Sequence, residues 1–196
     1  MDNHLNATRD YDLIARTSDS LTSLLLIEHA AQIHKIPIVW GTRKSWPERT
    51  TFTVKVKDYS IGNHPHFSKA FNPENLGIEP DLFDSVCKQI SGESRYEPQI
   101  FEEMNQKNIN YMAERLRGPI IENPKSMLGP QVDEDEVRRK VEQDPLFFKR
   151  CSDPVMTMLV GAHTAEVILN LLTKTPTYIP TVSVKKGECS FDSLNQ

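Results

Sequence analysis

The stretch DPVMTMLVGAHTAEVILNLL, Asp153 to Leu172, predicts a helix that is apolar almost all the way round. A short polar stripe interrupts it at the spacing i, i+3, i+7 and i+10, namely His163, Glu166, Asn170 and Thr173. Such a helix is expected to be buried, with its polar stripe paired inside the protein or at an interface. The sequence leaves open whether its own chain or another one encloses it.

Around this segment, patterns typical of helices outnumber those typical of strands. LTSLLLIEHAAQIHK at residues 21–35 predicts a helix whose wet side includes Glu28, and Pro37 prevents its continuation. TTFTVKVK at residues 50–57 alternates apolar and polar side chains and predicts a half-buried strand. Shorter strands are expected at residues 38–40 and, as an edge strand because of Pro180, at residues 177–184.

Four acid–proline pairs each precede a segment with helical periodicity, and they are Glu79-Pro80, Glu97-Pro98, Asp144-Pro145 and Asp153-Pro154. Proline at the first helical position loses no hydrogen bond, and the acid before it favours the positive end of the helix dipole. We therefore expect a helix to begin at each pair. The second of these helices is expected to end at Gly118-Pro119, and the third is short, over residues 146–148.

The fold class predicted from these elements is α+β, helix-dominated with a small antiparallel sheet, in which about six helices pack around the apolar one. A length of 196 residues suits a single domain. The polar start of the chain, residues 1–16, is expected to pack loosely, and residues 187–196 are expected to form a mobile tail.

The net charge of −4 and the cysteine content restrict the class of protein. An acidic chain argues against binding to nucleic acid or to an anionic membrane as the main role. Three widely spaced cysteines, the lack of a CxxC motif and an opening without a signal peptide favour the cytoplasm or another reducing intracellular compartment. A membrane span at residues 154–172 is disfavoured because His163, Glu166 and Asn170 make insertion costly.

Two groups of residues are candidates for chemistry, each with a simpler alternative. His163 and Glu166 lie one turn apart and, with Asn170, could serve acid–base catalysis in a hydrolase-like enzyme, or form a polar seam against another helix. His64 and His66 could chelate a metal from a loop, but a full site needs another ligand. No cofactor is expected, because the common nucleotide-binding and catalytic motifs do not occur.

Two further groups favour contact with a partner. The loop WGTRKSWPER sets aromatic rings beside cations, with Trp40, Arg43, Lys44, Trp46 and Arg49 as the candidate contacts. A charged helix at residues 133–143 has only a thin apolar stripe, including Val137 and Val141, and is expected to need a neighbour or partner.

The leading hypothesis from the sequence is a non-catalytic subunit, adaptor or scaffold in an intracellular assembly, working through protein–protein contacts or self-association. One alternative is a small enzyme that uses the histidine–carboxylate pair or a metal. The other is a nucleic-acid-binding protein that uses the tryptophan and arginine loop.

Overall fold

The computed structural model describes residues 3–17, 20–45, 49–128, 132–144, 154–175, 181–185 and 188–192. The chain divides into two compact units, which are described separately. The first unit comprises Met1–Val39 and Val56–Met112, and the second comprises Trp40–Lys55 and Ala113–Gln196. The prediction of a single domain therefore stays a prediction.

Helices dominate the described part of the chain, and two short 3-10 turns at Phe67–Ala70 and Glu74–Leu76 accompany them. The α-helices are α1 (Asn3–Thr8), α2 (Leu21–His34), α3 (Pro80–Ile90), α4 (Pro98–Glu122), α5 (Pro124–Leu128), α6 (Glu134–Gln143) and α7 (Pro154–Leu172). The strands are β1 (Ile14–Ala15), β2 (Ile38–Ser45), β3 (Arg49–Lys57), β4 (Thr181–Lys185) and β5 (Glu188–Asp192).

The strands follow one another in the order β1-β2-β3-β4-β5. Strand β1 pairs with β2 in parallel, with Ile14 opposite Ile38, whereas β3 with β4 and β4 with β5 are antiparallel. The helix-dominated α+β class is thus confirmed, with a small sheet that is mixed because of the β1–β2 pair. Strand β4 has neighbours on both sides, so the edge position expected for it was wrong, and residues 188–192 of the expected tail form β5.

Three of the four acid–proline pairs begin a helix as predicted, at Pro80, Pro98 and Pro154. In the remaining pair, Asp144 follows the last turn of α6 and its backbone N donates to Lys140 O at 2.8 Å, whereas Pro145 and the helix expected after it lie outside the described residues. The predicted end of α4 at Gly118 was wrong, because the helix continues through Pro119 to Glu122. Ile120, just beyond the proline, is 2% exposed and packs into an apolar cluster, and this burial offsets the hydrogen bond that proline removes.

The core of the first unit lies between α2, α3 and the first half of α4. Its largest buried side chains include Leu25, Phe67, Val86 and Met104. Asn105 joins two of these helices, since its Oδ1 accepts from Thr22 N at 3.1 Å. Loose packing of residues 1–16 was expected, but α1 packs on α2, and Ile14 is 9% exposed in its pairing with β2.

The second unit has its own apolar cluster at the end of α4, α5 and α6. Val137 and Val141 belong to it, at 5% and 3% exposed, together with Ile120 and Leu128. The stripe of α6 that the sequence assigned to a partner is therefore covered by this chain. The cap of α6 is Asp133, whose carboxylate accepts from the backbone N–H groups of residues 135 and 136.

Helix α7 packs against strand β2 within the second unit. A Cβ atom on Gly41 would overlap the side chain of Val160 and lie 3.0 Å from Thr164 Oγ1. Glycine at this strand position therefore permits the close approach of the helix. Val160 and Thr164 mark the face of α7 that this chain covers.

Candidate functional site

Glu28 is a buried carboxylate in the first unit, although its position on the helix predicted that it would be exposed to solvent. The residue is 2% exposed. Arg16 Nη1 lies 3.2 Å from its Oε1, and Lys57 Nζ lies 2.8 Å from its Oε2. The Tyr59 hydroxyl donates to the same Oε2. We call Arg16, Glu28, Lys57 and Tyr59 the Glu28 cluster.

Four separate segments of the chain bring the Glu28 cluster together. Arg16 follows β1, and its backbone N donates to Val39 O at 2.8 Å, which fixes it beside β2. Lys57 is the last residue of β3, and its ammonium lies 4.5 Å from the centre of the Tyr59 ring. Because the partners of Glu28 are 12 to 31 residues away, no local pattern could have revealed them.

The protonation of the cluster follows from its burial. Burial raises the pKa of the Tyr59 hydroxyl above its usual range, and the hydrogen bond to Glu28 raises that pKa further. Burial also lowers the pKa of the Arg16 guanidinium, while Glu28 opposes that shift. Tyr59 consequently remains a donor. Both oxygens of Glu28 already accept from these partners, so the arrangement balances a buried charge rather than offering a free base.

His29 follows Glu28 on α2 and lies close to three other histidines of the first unit. His29 Nδ1 is 3.0 Å from His4 Nε2, and its ring centre is 4.8 Å from that of Phe67. Burial lowers the pKa of His29 to about 4, and the nearby His4, His66 and His34 lower it as well. His29 is therefore neutral at pH 7 and serves as a packed side chain. Among the described residues no group of three histidine, cysteine, aspartate or glutamate side chains could hold a metal ion.

The two histidines proposed as metal ligands have protein partners. His64 Nε2 lies 2.6 Å from Asp58 O and 2.9 Å from Ile61 O, so it fixes the loop after β3. His66 Nδ1 lies 2.9 Å from Ser68 Oγ at the start of a 3-10 turn. Their observed partners are backbone and hydroxyl groups of their own loop.

The histidine–carboxylate pair predicted on the apolar helix does form. His163 Nδ1 lies 3.3 Å from Glu166 Oε2, with the two side chains 21% and 62% exposed. Asn170, one turn further on, is half-buried. The stripe runs along the border between the covered and the open sides of α7. Its catalytic role stays a hypothesis.

The tryptophan and arginine loop is only partly described. Trp40 is half-buried on β2. Residue 46 and the side chains of Arg43, Lys44 and Arg49 lie outside the described residues. The proposed contact through Trp40, Arg43, Lys44, Trp46 and Arg49 therefore stays a prediction.

One face of α7 is open to solvent, so its own chain does not enclose the helix completely, and its enclosure by another chain stays a prediction. Val167 is 0% exposed, whereas Met158 is 75%, Leu169 is 60% and Leu172 is 54% exposed. At about 100° per residue the exposed apolar positions fall on one side of the helix, opposite Val167. We call this side the α7 surface, and it consists of Met158, Gly161, Ala162, Ala165, Leu169 and Leu172.

Comparison of the chain with protein-family models, with curated proteins and with solved structures found no match. In the described ranges, no helix has both the length and the apolar character that crossing a membrane needs.

Proposed function

We propose that this protein is a non-catalytic component of an intracellular assembly and that it binds a protein partner through the α7 surface. The observation that carries the proposal is the open apolar face of α7. Large exposed side chains at Met158, Leu169 and Leu172 line up along one helix. Contiguous exposed apolar patches mark interaction sites more often than scattered exposed residues do.

The distribution of other exposed apolar side chains supports this choice of surface. Tyr11, Ile33, Ile61 and Tyr96 are also exposed, but they are scattered over the first unit, with Ile33 on α2 and the other three in separate loops. Single exposed apolar side chains are common on protein surfaces and need no partner. A continuous row on one helix suits the docking of a helix or another apolar ridge, with anchors at i, i+3, i+4 and i+7.

The character of the α7 surface favours protein over nucleic acid. Within the sequence of α7 the one formally charged residue is Glu166, which lies beside this surface and would repel phosphate groups. Among the described residues, the Glu28 cluster and the cluster around Val137 are engaged within the chain, whereas Met158, Leu169 and Leu172 of the α7 surface are exposed.

Photo-cross-linking in the cells that make the protein tests this proposal. A benzophenone amino acid replaces Leu169 on the α7 surface, or Tyr96 as a matched exposed control that is 50% exposed. We expect a protein adduct heavier than the 22.4 kDa chain from position 169 and none from position 96. The adduct should disappear when Ala165→Glu is added. No adduct at position 169, or equal adducts at both positions, would overturn the proposal.

We propose the cytoplasm or another reducing compartment as the place of work. Cys87 is a buried free thiol, and burial raises its pKa to about 12, so it is a packed side chain rather than a nucleophile. When the protein made by its own cells is purified and then denatured, thiol titration should find three thiols per chain, since the sequence has three cysteines. Fewer than three would indicate a disulfide and contradict this compartment.

A further inference from the structure

We propose that helix α1 is an acid-sensitive segment, docked on α2 at neutral pH and released as the pH falls, because the contact between His4 and His29 cannot survive protonation of both rings. The inference goes beyond the proposed function and does not depend on the α7 surface. It starts from how α1 is attached to α2. His4 Nε2 lies 3.0 Å from His29 Nδ1. Close by, His34 Nε2 donates to Leu5 O at 2.9 Å.

Helix α1 depends on this attachment, because it is too short to be stable alone. It has six residues, whereas isolated helices shorter than about 12 residues are marginal in water. None of its described side chains is fully buried, and Asn6 and Ala7 are exposed. The Thr8 hydroxyl donates to His4 O at 2.9 Å, within α1 itself. The docking of α1 therefore depends on its contacts with α2, in which histidine side chains take part twice.

The contact between His4 and His29 is the one that acid breaks. In a hydrogen bond between two imidazoles, one ring donates an N–H and the other accepts through an unprotonated nitrogen. A single proton leaves this bond intact, because the charged ring donates to the neutral one. A second proton places two N–H groups and two positive charges against each other across 3.0 Å. The docked state therefore disfavours the second proton, which the released state accepts freely.

The contact between His34 and Leu5 responds differently. A carbonyl oxygen can only accept, so the N–H of His34 donates to Leu5 O whether the ring is neutral or charged. This contact holds α1 at every pH, whereas the contact of His4 with His29 holds it only while one of the two rings is neutral. The two contacts can therefore be told apart by their response to pH.

The surroundings of His29 also oppose its protonation. Burial lowers its pKa to about 4, helped by histidines on three segments, namely His4, His66 and His34. The ring centre of Phe67, on the 3-10 turn, lies 4.8 Å from that of His29 and carries no charge. The preceding residue, Glu28, is held by Arg16 and Lys57. Helix α3, which also packs on α2, contributes apolar side chains and the thiol of Cys87 to their shared core.

The pH range of the release lies between the two pKa values of His29. The docked value is about 4, and the ordinary value is 6.5. Between them the released state binds more protons, so a falling pH raises the ratio of released to docked α1, by at most about tenfold per pH unit. Short segments open at a lower cost in free energy than a whole unit does. We therefore expect α1 to detach while the rest of the first unit stays folded, uncovering His29, which is 6% exposed when α1 is docked.

Electron paramagnetic resonance of a nitroxide label on the full chain tests the release. Cys151 and Cys189 are replaced by serine, Cys87 is kept because it is buried, and the label is attached at Asn6→Cys, an exposed position of α1. A second protein carries the label at Tyr96→Cys, which is 50% exposed elsewhere in the first unit. From pH 7.5 to pH 4.5 the label at position 6 should gain a reversible fast-moving component, and the label at position 96 should keep its spectrum.

Three variants assign the response to the pair of histidines. His29→Asn should hold the fast component at position 6 constant to within about twofold over this range, because the titrating ring is gone. His4→Gln should do the same, because its amide oxygen can accept from a charged His29. His34→Gln is the matched control: it should enlarge the fast component at every pH and keep the pH dependence of the wild type.

Three results would overturn the inference. The first is a spectrum at position 6 that does not change down to pH 4.5. The second is a response of wild-type size in both His29→Asn and His4→Gln. The third is a label at position 96 that becomes mobile at the same pH as the label at position 6, because α1 would then be lost only when the whole first unit unfolds.

Discussion

Helices α2 and α7 resemble each other in sequence and differ in what surrounds them. Both are rich in leucine and also contain isoleucine and alanine, and both carry a histidine and a glutamate within one turn. In α2 the glutamate is 2% exposed and paired with two cations. In α7 the Glu166 side chain is 62% exposed and paired only with its neighbour His163 among the partners that the structure describes.

The difference shows that a helix's composition does not say which elements cover it. Helix α2 is enclosed because segments distant in sequence supply Arg16, Lys57 and Tyr59 at its polar position. For α7 the chain supplies a covering strand on one side, at Gly41, and leaves the small and large apolar residues of the other side open. Helix α2 is covered within its own unit, and we infer that the open face of α7 is covered when a partner binds.

The largest expected effect on the free energy of unfolding distinguishes Glu28 from Glu166. Glu28→Gln removes the carboxylate charge that faces Arg16 and Lys57 and should lower the free energy of unfolding by about 3 kcal/mol. The value lies at the low end for a buried pair because Arg16 and Lys57 are 15% and 23% exposed. Glu166→Gln should change it by less than about 0.5 kcal/mol, as for other surface substitutions. Urea denaturation measures both, and equal effects would contradict the comparison.

The next largest effect on the free energy of unfolding distinguishes the buried face of α7 from its exposed face. Val167→Ala removes buried methyl groups and should lower the free energy of unfolding by about 2 kcal/mol, through lost burial and the cavity left behind. Leu169→Ala, at an exposed position, should cost less than about 0.5 kcal/mol in dilute solution. Thermal and urea unfolding of the dilute protein test this pair, and a larger loss for Leu169→Ala would show that the opposite face of α7 is the buried one.

A smaller effect concerns the hydroxyl of the Glu28 cluster. Tyr59→Phe keeps the ring beside Lys57 but removes the donor to Glu28, and it should cost about 1.5 kcal/mol. Tyr96→Phe, at an exposed ring, is the matched control and should be neutral. A neutral Tyr59→Phe would mean that the two cations alone hold the carboxylate.

The last prediction concerns the pH dependence of stability that His29 contributes. Its folded pKa of about 4 lies below the usual 6.5, so the unfolded chain binds more protons between these values. Stability contributed by neutral His29 is therefore full above pH 6.5 and is lost as pH falls towards 4, by at most about 1.4 kcal/mol per pH unit. His29→Asn should flatten this part of the unfolding profile. An unchanged slope in that variant would place the titrating group elsewhere.

Much of the secondary structure could be predicted because its signals are local. Pro80, Pro98 and Pro154 begin helices, and residues 21–34 and 49–57 form the expected helix and strand. The end of α4 could not be predicted, because the burial of Ile120 against α5 and α6 outweighs a local break signal at Pro119. The coverage of Val137 and Val141 depends on the same packing.

Only part of the candidate site could be predicted from the sequence. The apolar helix and its polar stripe were evident from periodicity, and the pair of His163 and Glu166 forms at the predicted spacing. Which face of that helix stays open was not evident, since Met158, Leu169 and Val167 are equally apolar in the sequence. The Glu28 cluster was missed because its members share no spacing that a local pattern can register.

The sequence by itself determined where helices and strands begin, because capping residues, prolines and side-chain periodicity act within a few residues of the backbone they shape. Only the tertiary structure decided that Glu28 is enclosed and that the α7 surface is open. Both outcomes depend on which distant segments come to lie beside a helix, and burial, charge pairing and exposure are properties of those neighbours rather than of the helix alone.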